Sequence, residues 1–207
     1  MHYYIKLYDE PDSGAIRDAT REPHLKYLDD MRQVSLFVGP ILTEDLQSEL
    51  GSMRLIDLPD RAAAQANVDE EPYHIAGLQK RYEIYRWSPS VPFSWRDCPR
   101  TEGNVQYLIE AHDKDGADDL RDELRAEHEA FQAEQESLYI TRGPLMSDDG
   151  ARQIGSLMII DVPDLAAARK FWDGEPFNYG GLFSKVNFYG WRFGRVMDKF
   201  KVDPTIP

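Results

Sequence analysis

Two histidines in equivalent sequence settings, His24 and His128, are the residues of this chain best suited to move a proton. Each lies in a segment whose apolar residues recur at helical spacing, so each imidazole is expected to point inward. An imidazole has an ordinary pKa of about 6.5 and exchanges a proton at neutral pH when a carboxylate orients it. The pattern predicts acid–base chemistry on a small acidic molecule. The alternative is a buried histidine bonded for structural reasons only.

Acidic residues follow the second helix of each half and are the candidate partners of these histidines. Glu71 and Glu175 each precede a proline, and an aspartate lies two residues before each of them. Either kind of carboxylate can orient an imidazole, and the sequence does not choose between Glu71 and Asp69. The predicted catalytic set is therefore His24, His128, Asp69, Glu71 and Glu175.

Three arginines and two tyrosines are the predicted substrate-binding residues. Arg21 and Arg125 precede the histidines by one helical turn, where a guanidinium binds a substrate carboxylate or phenolate, or else forms an exposed ion pair along the helix. Arg142 is expected to differentiate the second cavity. Tyr27 is a phenol donor beside His24, and Tyr73 is a candidate wall of an aromatic pocket or, alternatively, a core residue.

No metal or cofactor motif is found. His2, His74 and His112 lack the paired spacing of metal ligands. Phosphate loops, dinucleotide fingerprints and nucleophile elbows are also absent from the sequence. We therefore expect neither a metal nor an organic cofactor.

The residues around the histidines belong to an internal repeat with a constant offset of about 104 residues. From Tyr3 to Trp87, about 26 of 85 positions are identical to those of the second copy, without a gap. This predicts a tandem duplication with repeat 1 at residues 1–88, a linker at 89–103, repeat 2 at 104–200 and a C-terminal arm at 201–207. Phe93 and Trp95 predict that the linker packs on the domains.

Each repeat is predicted to have the order β-α-β-β-α-β, which is the ferredoxin-like split βαβ arrangement and makes the fold α+β. In the first copy the elements are a strand at Tyr3–Tyr8, a helix at Ala15–Arg32 after Asp12 or Ser13, a strand ending at Gly39-Pro40, a strand at Ser52–Leu58, a helix at Arg61–Val68 capped by Asp60, and a strand at Lys80–Trp87. Helices on one face leave the other face of each sheet bare. We expect the repeats to pack sheet to sheet as an intrachain pseudo-dimeric α/β barrel.

Composition restricts the partners of the 207-residue chain. The net charge of −13 disfavours nucleic-acid binding, which needs a surface dominated by Lys and Arg. Cys98 is the only cysteine, which excludes an intrachain disulfide and fits a reducing cytoplasm. We expect no membrane anchor and no secretion signal. A small-molecule substrate is the predicted partner, and further homo-oligomerisation is left open.

The motifs resemble those of the YciI-like family. Repeat 1 contains an Arg-x-x-His-Leu segment from Arg21 to Leu25, a Gly-Pro pair, and Glu71-Pro72-Tyr73 where the family has Asp-Pro-Tyr. The resemblance implies the dimeric α/β-barrel group, whose members include muconolactone isomerase and a chlorohydroxyquinol dehydrochlorinase that work without metals or organic cofactors. It therefore implies a cofactor-independent lyase or isomerase acting on a small cyclic or aromatic substrate. The alternatives are a non-catalytic ligand-binding or scaffold protein and a cofactor-free monooxygenase.

The two histidines are not expected to contribute equally. Repeat 1 keeps the fuller motif, whereas His128 is flanked by Glu127 and Glu129. Negative charge favours the protonated imidazole, which cannot act as a base. His24 is therefore predicted to be the principal proton-transfer residue and His128 the secondary one.

Overall fold

The first strand has two buried faces, which shows how the sheets are covered. The computed structural model describes residues 1–197. In β1 (His2–Tyr8), Tyr3, Ile5 and Leu7 pack with residues of the second helix, Ala64 and Val68. The alternate residues Tyr4 and Lys6 face the other way and are completely buried. The sheet is thus covered by helices on one side and by the other repeat on the opposite side.

Both repeats contain the predicted order of elements plus one short helix that was not predicted. Repeat 1 continues with α1 (Gly14–Asp30), β2 (Ser35–Leu42), β3 (Glu49–Asp57), α2 (Arg61–Asp69), α3 (Pro72–Ile75) and β4 (Arg81–Trp87). Repeat 2 consists of β5 (Val105–Asp113), α4 (Asp118–Glu134), β6 (Tyr139–Met146), β7 (Gln153–Val162), α5 (Leu165–Asp173), α6 (Pro176–Tyr179) and β8 (Phe183–Trp191), with short 3₁₀ turns at Glu136–Leu138 and Arg195–Met197.

The eight strands form one closed barrel in the order β1-β3-β2-β8-β5-β7-β6-β4. Two short antiparallel junctions join the repeats. One pairs Ile41 of β2 with Trp191 of β8, and the other pairs Trp87 of β4 with Leu145 of β6. The interior core is drawn from both repeats. The predicted intrachain pseudo-dimeric α/β barrel is confirmed.

The segment between the repeats packs against the barrel rather than extending into solvent. The Trp95 amide donates to the Leu36 carbonyl at 2.8 Å, and the Ser90 amide donates to the Arg142 carbonyl at 2.9 Å. The Trp95 ring also packs against the interior core. The predicted arm at 201–207 lies outside the described residues. Within residues 1–197, no helix combines the length and apolar character needed to cross a lipid bilayer.

Three details differ from the sequence predictions. The strand β2 continues through Gly39-Pro40 to Leu42, because it is the edge strand of its own repeat over most of its length, where a proline is tolerated. Helix α1 follows Ser13, but the Ser13 hydroxyl donates to the Glu10 carbonyl instead of capping the helix. Ile16, which shares the helical stripe of His24 that the sequence predicts to face inward, is 38% exposed because it lies in the solvent-facing first turn.

Candidate functional site

His24 is held by Glu71, one of its two predicted acidic partners. The Nδ1 atom of His24 lies 2.8 Å from Oε1 of Glu71. The Glu71 side chain is completely buried, whereas the imidazole is 13% exposed. The imidazole ring stacks on Tyr73, with 3.9 Å between the ring centroids and 16° between the planes. A carboxylate and an aromatic ring thus fix both the position and the orientation of the histidine.

The residues next to Glu71 in the sequence fix the position of its carboxylate beside His24. Pro72 starts the short helix α3, and Glu71 is its N-cap, accepting a hydrogen bond from the Tyr73 amide at 3.1 Å. The other carboxylate oxygen, Oε2, accepts from Arg54 of β3. Arg54 in turn donates to the Asn67 side chain at 3.0 Å. Helix α1, strand β3 and helix α3 therefore each contribute a hydrogen-bond partner to the carboxylate.

These donors keep Glu71 ionised and thereby assign the tautomer of His24. Burial alone would raise the pKa of Glu71, but the Arg54 guanidinium and the hydrogen bonds from His24 and the Tyr73 amide lower it to about 2. An ionised carboxylate only accepts hydrogen bonds, so Nδ1 carries the imidazole proton. The remaining ring nitrogen, Nε2, then carries the lone pair and is the atom that can act as a base.

The imidazole of His24 lies in the wall of a cavity of about 310 Å³, which we call the His24 cavity. Its lining comes from α1, from the strands β2 and β3, from Tyr73 of α3, and from the chain that follows β8 of the other repeat. The charged residues of this lining are Arg17, Arg21, Glu49, Arg54, Arg192 and Arg195. The volume suits a small molecule of about one ring, at the lower end of ordinary ligand pockets.

Repeat 2 contains the same dyad in a smaller cavity. The Nδ1 atom of His128 lies 2.6 Å from Oε1 of Glu175, and Glu175 caps α6 through the Asn178 amide at 2.8 Å. The His128 ring stacks on Phe177 at 3.8 Å between centroids. The surrounding cavity, which we call the His128 cavity, has a volume of about 220 Å³ and is also lined by Arg121.

The two dyads differ in the arginine behind them. Met158 of β7 occupies the position equivalent to Arg54, so no equivalent guanidinium contacts Glu175 from that strand. Arg142 of β6 lines the His128 cavity, and its counterpart in repeat 1 is Val38. Arg142 donates to the Gln132 side chain. The arginine on β3 thus contacts the acid of its dyad, whereas the arginine on β6 contacts Gln132.

The predicted residues fall into two groups in the structure. Those that line the cavities are His24, Arg21, Tyr73, His128, Arg125 and Arg142, with Glu71 and Glu175 buried behind the histidines. Asp69 and Tyr27 are elsewhere. Asp69 is exposed and accepts from Gln65, so its predicted role of orienting His24 is not supported by the geometry. The Tyr27 hydroxyl donates its proton to the Asn67 carbonyl at 2.6 Å, so this proton is not offered to a ligand.

Arg21 and Arg125 also form the exposed helical ion pairs that were the alternative to substrate binding. Arg21 contacts Asp18 at 2.8 Å, and Arg125 contacts Asp122. Because both pairs are largely solvent-exposed, the pairing contributes little and leaves the guanidinium groups able to exchange partners.

Several cavity arginines were not predicted. Arg17 and its equivalent Arg121 are identical in the two repeats and lie over the aromatic rings of Tyr73 and Phe177, at 5.1 and 4.5 Å from the centroids. Their recurrence in both repeats was the one sequence feature that could have indicated a role in the cavities. The remaining unpredicted arginines have no counterpart in the other repeat, so the repeat could not indicate them: Arg54, Arg192 and Arg195.

The described part of the chain contains no cluster of three or more His, Cys, Asp or Glu side chains arranged to hold a metal ion. The donor set of the His24 cavity is instead one imidazole, several guanidinium groups and a phenol. This set is suited to moving a proton and to binding anions.

Comparison with known proteins identifies the repeats. The family model described as the YCII-related domain matches residues 1–88 and 105–192. No curated protein matches the chain in sequence.

Two solved structures share the fold over most of the chain, and a third matches a shorter part of it. A chlorite dismutase variant from Candidatus Nitrospira defluvii has a TM-score of 0.63 and 10% identity, covering 97% of this chain and 94% of its own. A heme-binding protein from Thermus thermophilus has a TM-score of 0.57 and 11% identity, covering 93% and 90%. The 5-chloro-2-hydroxyhydroquinone dehydrochlorinase from Burkholderia phenoliruptrix AC1100 is 25% identical, covering 42% of this chain and 94% of its own with a TM-score of 0.39.

Proposed function

The chain belongs to the YCII-related domain family, and from that premise we propose that it is an enzyme that transfers protons on a small cyclic or aromatic molecule. The proposed reaction class is that of a lyase or isomerase working without a metal or organic cofactor. The proposed site is the His24 cavity, with His24 as the base and Glu71 as its orienting acid.

One observation carries this proposal. The Nδ1 atom of His24 donates to a buried, ionised Glu71, while the ring borders an accessible cavity of about 310 Å³. A histidine satisfied only for structural reasons has no need of a cavity at its ring or of a dedicated arginine clamping its acid. Carboxylate–imidazole pairs in which the acid fixes the tautomer are a recurrent arrangement of acid–base catalysts.

The residues of the His24 cavity can account for the proton and the charge at each step of the proposed reaction. The Nε2 atom of His24 removes a proton from a carbon next to a carbonyl group, and the electron pair moves to the carbonyl oxygen. Glu71 stabilises the resulting imidazolium, and a cavity guanidinium stabilises the oxyanion. The imidazolium then returns the proton to a different carbon in an isomerase, or to the departing group as its bond to carbon breaks in a lyase.

Deuterium exchange with a panel of candidate compounds tests the proposal. Small cyclic keto and hydroxy compounds are incubated with the protein in D₂O, and loss of α-proton signals is followed by ¹H NMR. We expect exchange or turnover of at least one compound, reduced by a factor of about 10² or more in His24→Gln. Turnover that is unchanged in His24→Gln would exclude histidine acid–base catalysis at this cavity.

The two alternatives give different results in the same assay. A ligand-binding protein would bind a compound of this panel without exchanging its protons. A cofactor-free monooxygenase would consume oxygen during turnover, which an oxygen electrode detects. We further propose that the protein acts in the cytoplasm on a small molecule and not on nucleic acid, in keeping with its single cysteine and its net charge of −13.

A further inference from the structure

The His24 cavity has a charge opposite to that of the protein as a whole. The chain carries 24 Lys and Arg against 37 Asp and Glu. The lining of the cavity reverses this balance, with one carboxylate, Glu49, and five arginines: Arg17, Arg21, Arg54, Arg192 and Arg195. A concave site lined by one sign of charge concentrates ligands of the opposite sign.

Two of the five arginines come from the other repeat. Arg192 and Arg195 follow the strand β8, which reaches the cavity because Trp191 pairs with Ile41 of β2. The Gly194 amide then donates to the Val38 carbonyl at 2.8 Å. The His24 cavity is therefore complete only when repeat 2 is in place, and its cationic rim depends on the junction between the repeats.

The His128 cavity serves as an internal comparison. At the equivalent junction the chain continues from β4 into the linker, and the positions matching Arg192 and Arg195 are Ser88 and Val91. The linker residue that lines the His128 cavity is Ser90. The pair of arginines is thus a property of the His24 cavity and not a general feature of the duplicated fold.

The guanidinium groups of the cavity differ in how far they are already paired. Among the described residues, Arg192 is paired through one Nη atom only, to Glu49, whereas Arg17 is paired with both Asp9 and Glu49. Arg54, which is 1% exposed, has an Nε atom without an acceptor among the described residues. A buried donor without an acceptor costs free energy, which an entering oxyanion would recover.

We propose that the His24 cavity binds the carboxylate of a small ring compound, and that Arg192 and Arg195 of repeat 2 determine this specificity. The planar fork of arginine matches the two oxygens of a carboxylate. Binding there places the ring of the substrate within the cavity that holds His24 and Tyr73. The inference rests on the proposed function, since it takes the His24 cavity to be the site of the substrate.

Calorimetric titration of the whole protein tests this inference. The probes are benzoate and cyclohexanecarboxylate, each compared with its uncharged carboxamide, and NMR shifts of the His24 imidazole report where they bind. The variants are Arg192→Gln/Arg195→Gln and, as a control, Arg61→Gln, an exposed arginine at the start of α2 outside both cavities. Arg192→Lys/Arg195→Lys tests whether charge alone is sufficient.

We expect at least one carboxylate to bind about tenfold or more tightly than its amide and to lose about the same factor in Arg192→Gln/Arg195→Gln, but not in Arg61→Gln. Equal affinity for acid and amide, full retention in that double variant, or binding of neither carboxylate would each overturn the inference.

The outcome is separable from that of the proposed function. Carboxylate binding that depends on Arg192 and Arg195, without turnover of any ring compound, would leave the anion site standing and reject catalysis. Turnover of an uncharged compound that depends on His24 but not on these arginines would support catalysis and reject the anion site.

Discussion

Lys6 and Glu110 occupy equivalent positions of the two repeats and meet as an ion pair inside the barrel, with 2.5 Å between Nζ and Oε2. Both side chains are completely buried. Glu110 also accepts from Tyr4 and Asn187 and contacts His112. In a symmetric homodimer this position would hold the same residue in both subunits, so opposite charges require the two copies to differ in sequence. Fusion into one chain allows that difference.

Loss of one member of this pair should strongly destabilise the barrel. In Lys6→Met, Glu110 stays buried without its cation, and we expect the free energy of unfolding to fall by about 3 kcal/mol or more. Lys6→Met/Glu110→Met removes both charges and should cost less than the sum of the single variants. Urea unfolding measures all three. Strictly additive losses would mean that the pair does not interact in the folded protein.

The overall fold could be predicted because its signals are local or repetitive. The repeat, the strand and helix periods and the Asp60 cap all lie within short segments, and the Asp60 side chain accepts from the Ala63 amide as expected. The closing junctions could not be predicted in the same way. Each involves only two residue pairs, and nothing in the sequence of β2 distinguishes an edge that meets β8 from one that meets solvent.

The residues of the candidate site could be predicted from the sequence only where they, too, have a local or repeated signal. His24 and Glu71 stand out because each recurs in both repeats and has a recognisable local setting, a helical stripe for His24 and a Glu-Pro pair after the second helix for Glu71. Arg54 has the sequence context of an ordinary strand residue, and Arg192 lies in the other repeat. Their roles depend on packing between residues that are far apart in the sequence. The repeat shows which residues recur at an offset of about 104, but it does not show which distant residues pack together.

The stability of the protein should depend on Glu71 at acid pH. Its pKa of about 2 lies below the ordinary value of about 4.3, so the ionised form stabilises the fold above pH 4.3, and this contribution is lost as the pH falls through 2. When the pH is lowered from 7 to 3, the free energy of unfolding should therefore fall by about 2 kcal/mol less in Glu71→Gln than in the wild-type protein. Urea unfolding at both pH values checks this. Identical losses in the two proteins would contradict it.

Gly39 should be intolerant of a side chain, because the other repeat passes close to its backbone. A Cβ atom there would lie 1.9 Å from the Arg192 carbonyl oxygen and 3.0 Å from the Trp191 ring. Gly39→Ala should displace the segment that carries Arg192 and cost about 1–3 kcal/mol. Gly14→Ala, where no atom lies within 4 Å, is the control. Equal thermal stability of the two variants would show that the segment carrying Arg192 can move to admit the side chain without destabilising the protein.

The two histidines should contribute unequally to turnover. His24 lies in the larger cavity with an arginine-clamped acid, whereas Glu129 lines the His128 cavity. We expect His24→Gln to reduce the rate by a factor of about 10² or more and His128→Gln to have a smaller effect. Steady-state rates decide the matter once a substrate is found. Loss in His128→Gln alone would reverse the assignment, and loss in neither would make both histidines structural.

Arg54→Met should convert the first dyad into the pattern of the second, in which Met158 occupies the equivalent position. Glu71 would keep the hydrogen bonds from His24 and the Tyr73 amide but lose the guanidinium that offsets its burial, so its pKa should rise from about 2. Carboxyl ¹³C NMR follows the pKa of Glu71 directly, and Met158→Leu is the matched change in repeat 2 that should leave this pKa unchanged. An unchanged pKa in Arg54→Met would mean that the remaining donors alone keep Glu71 ionised.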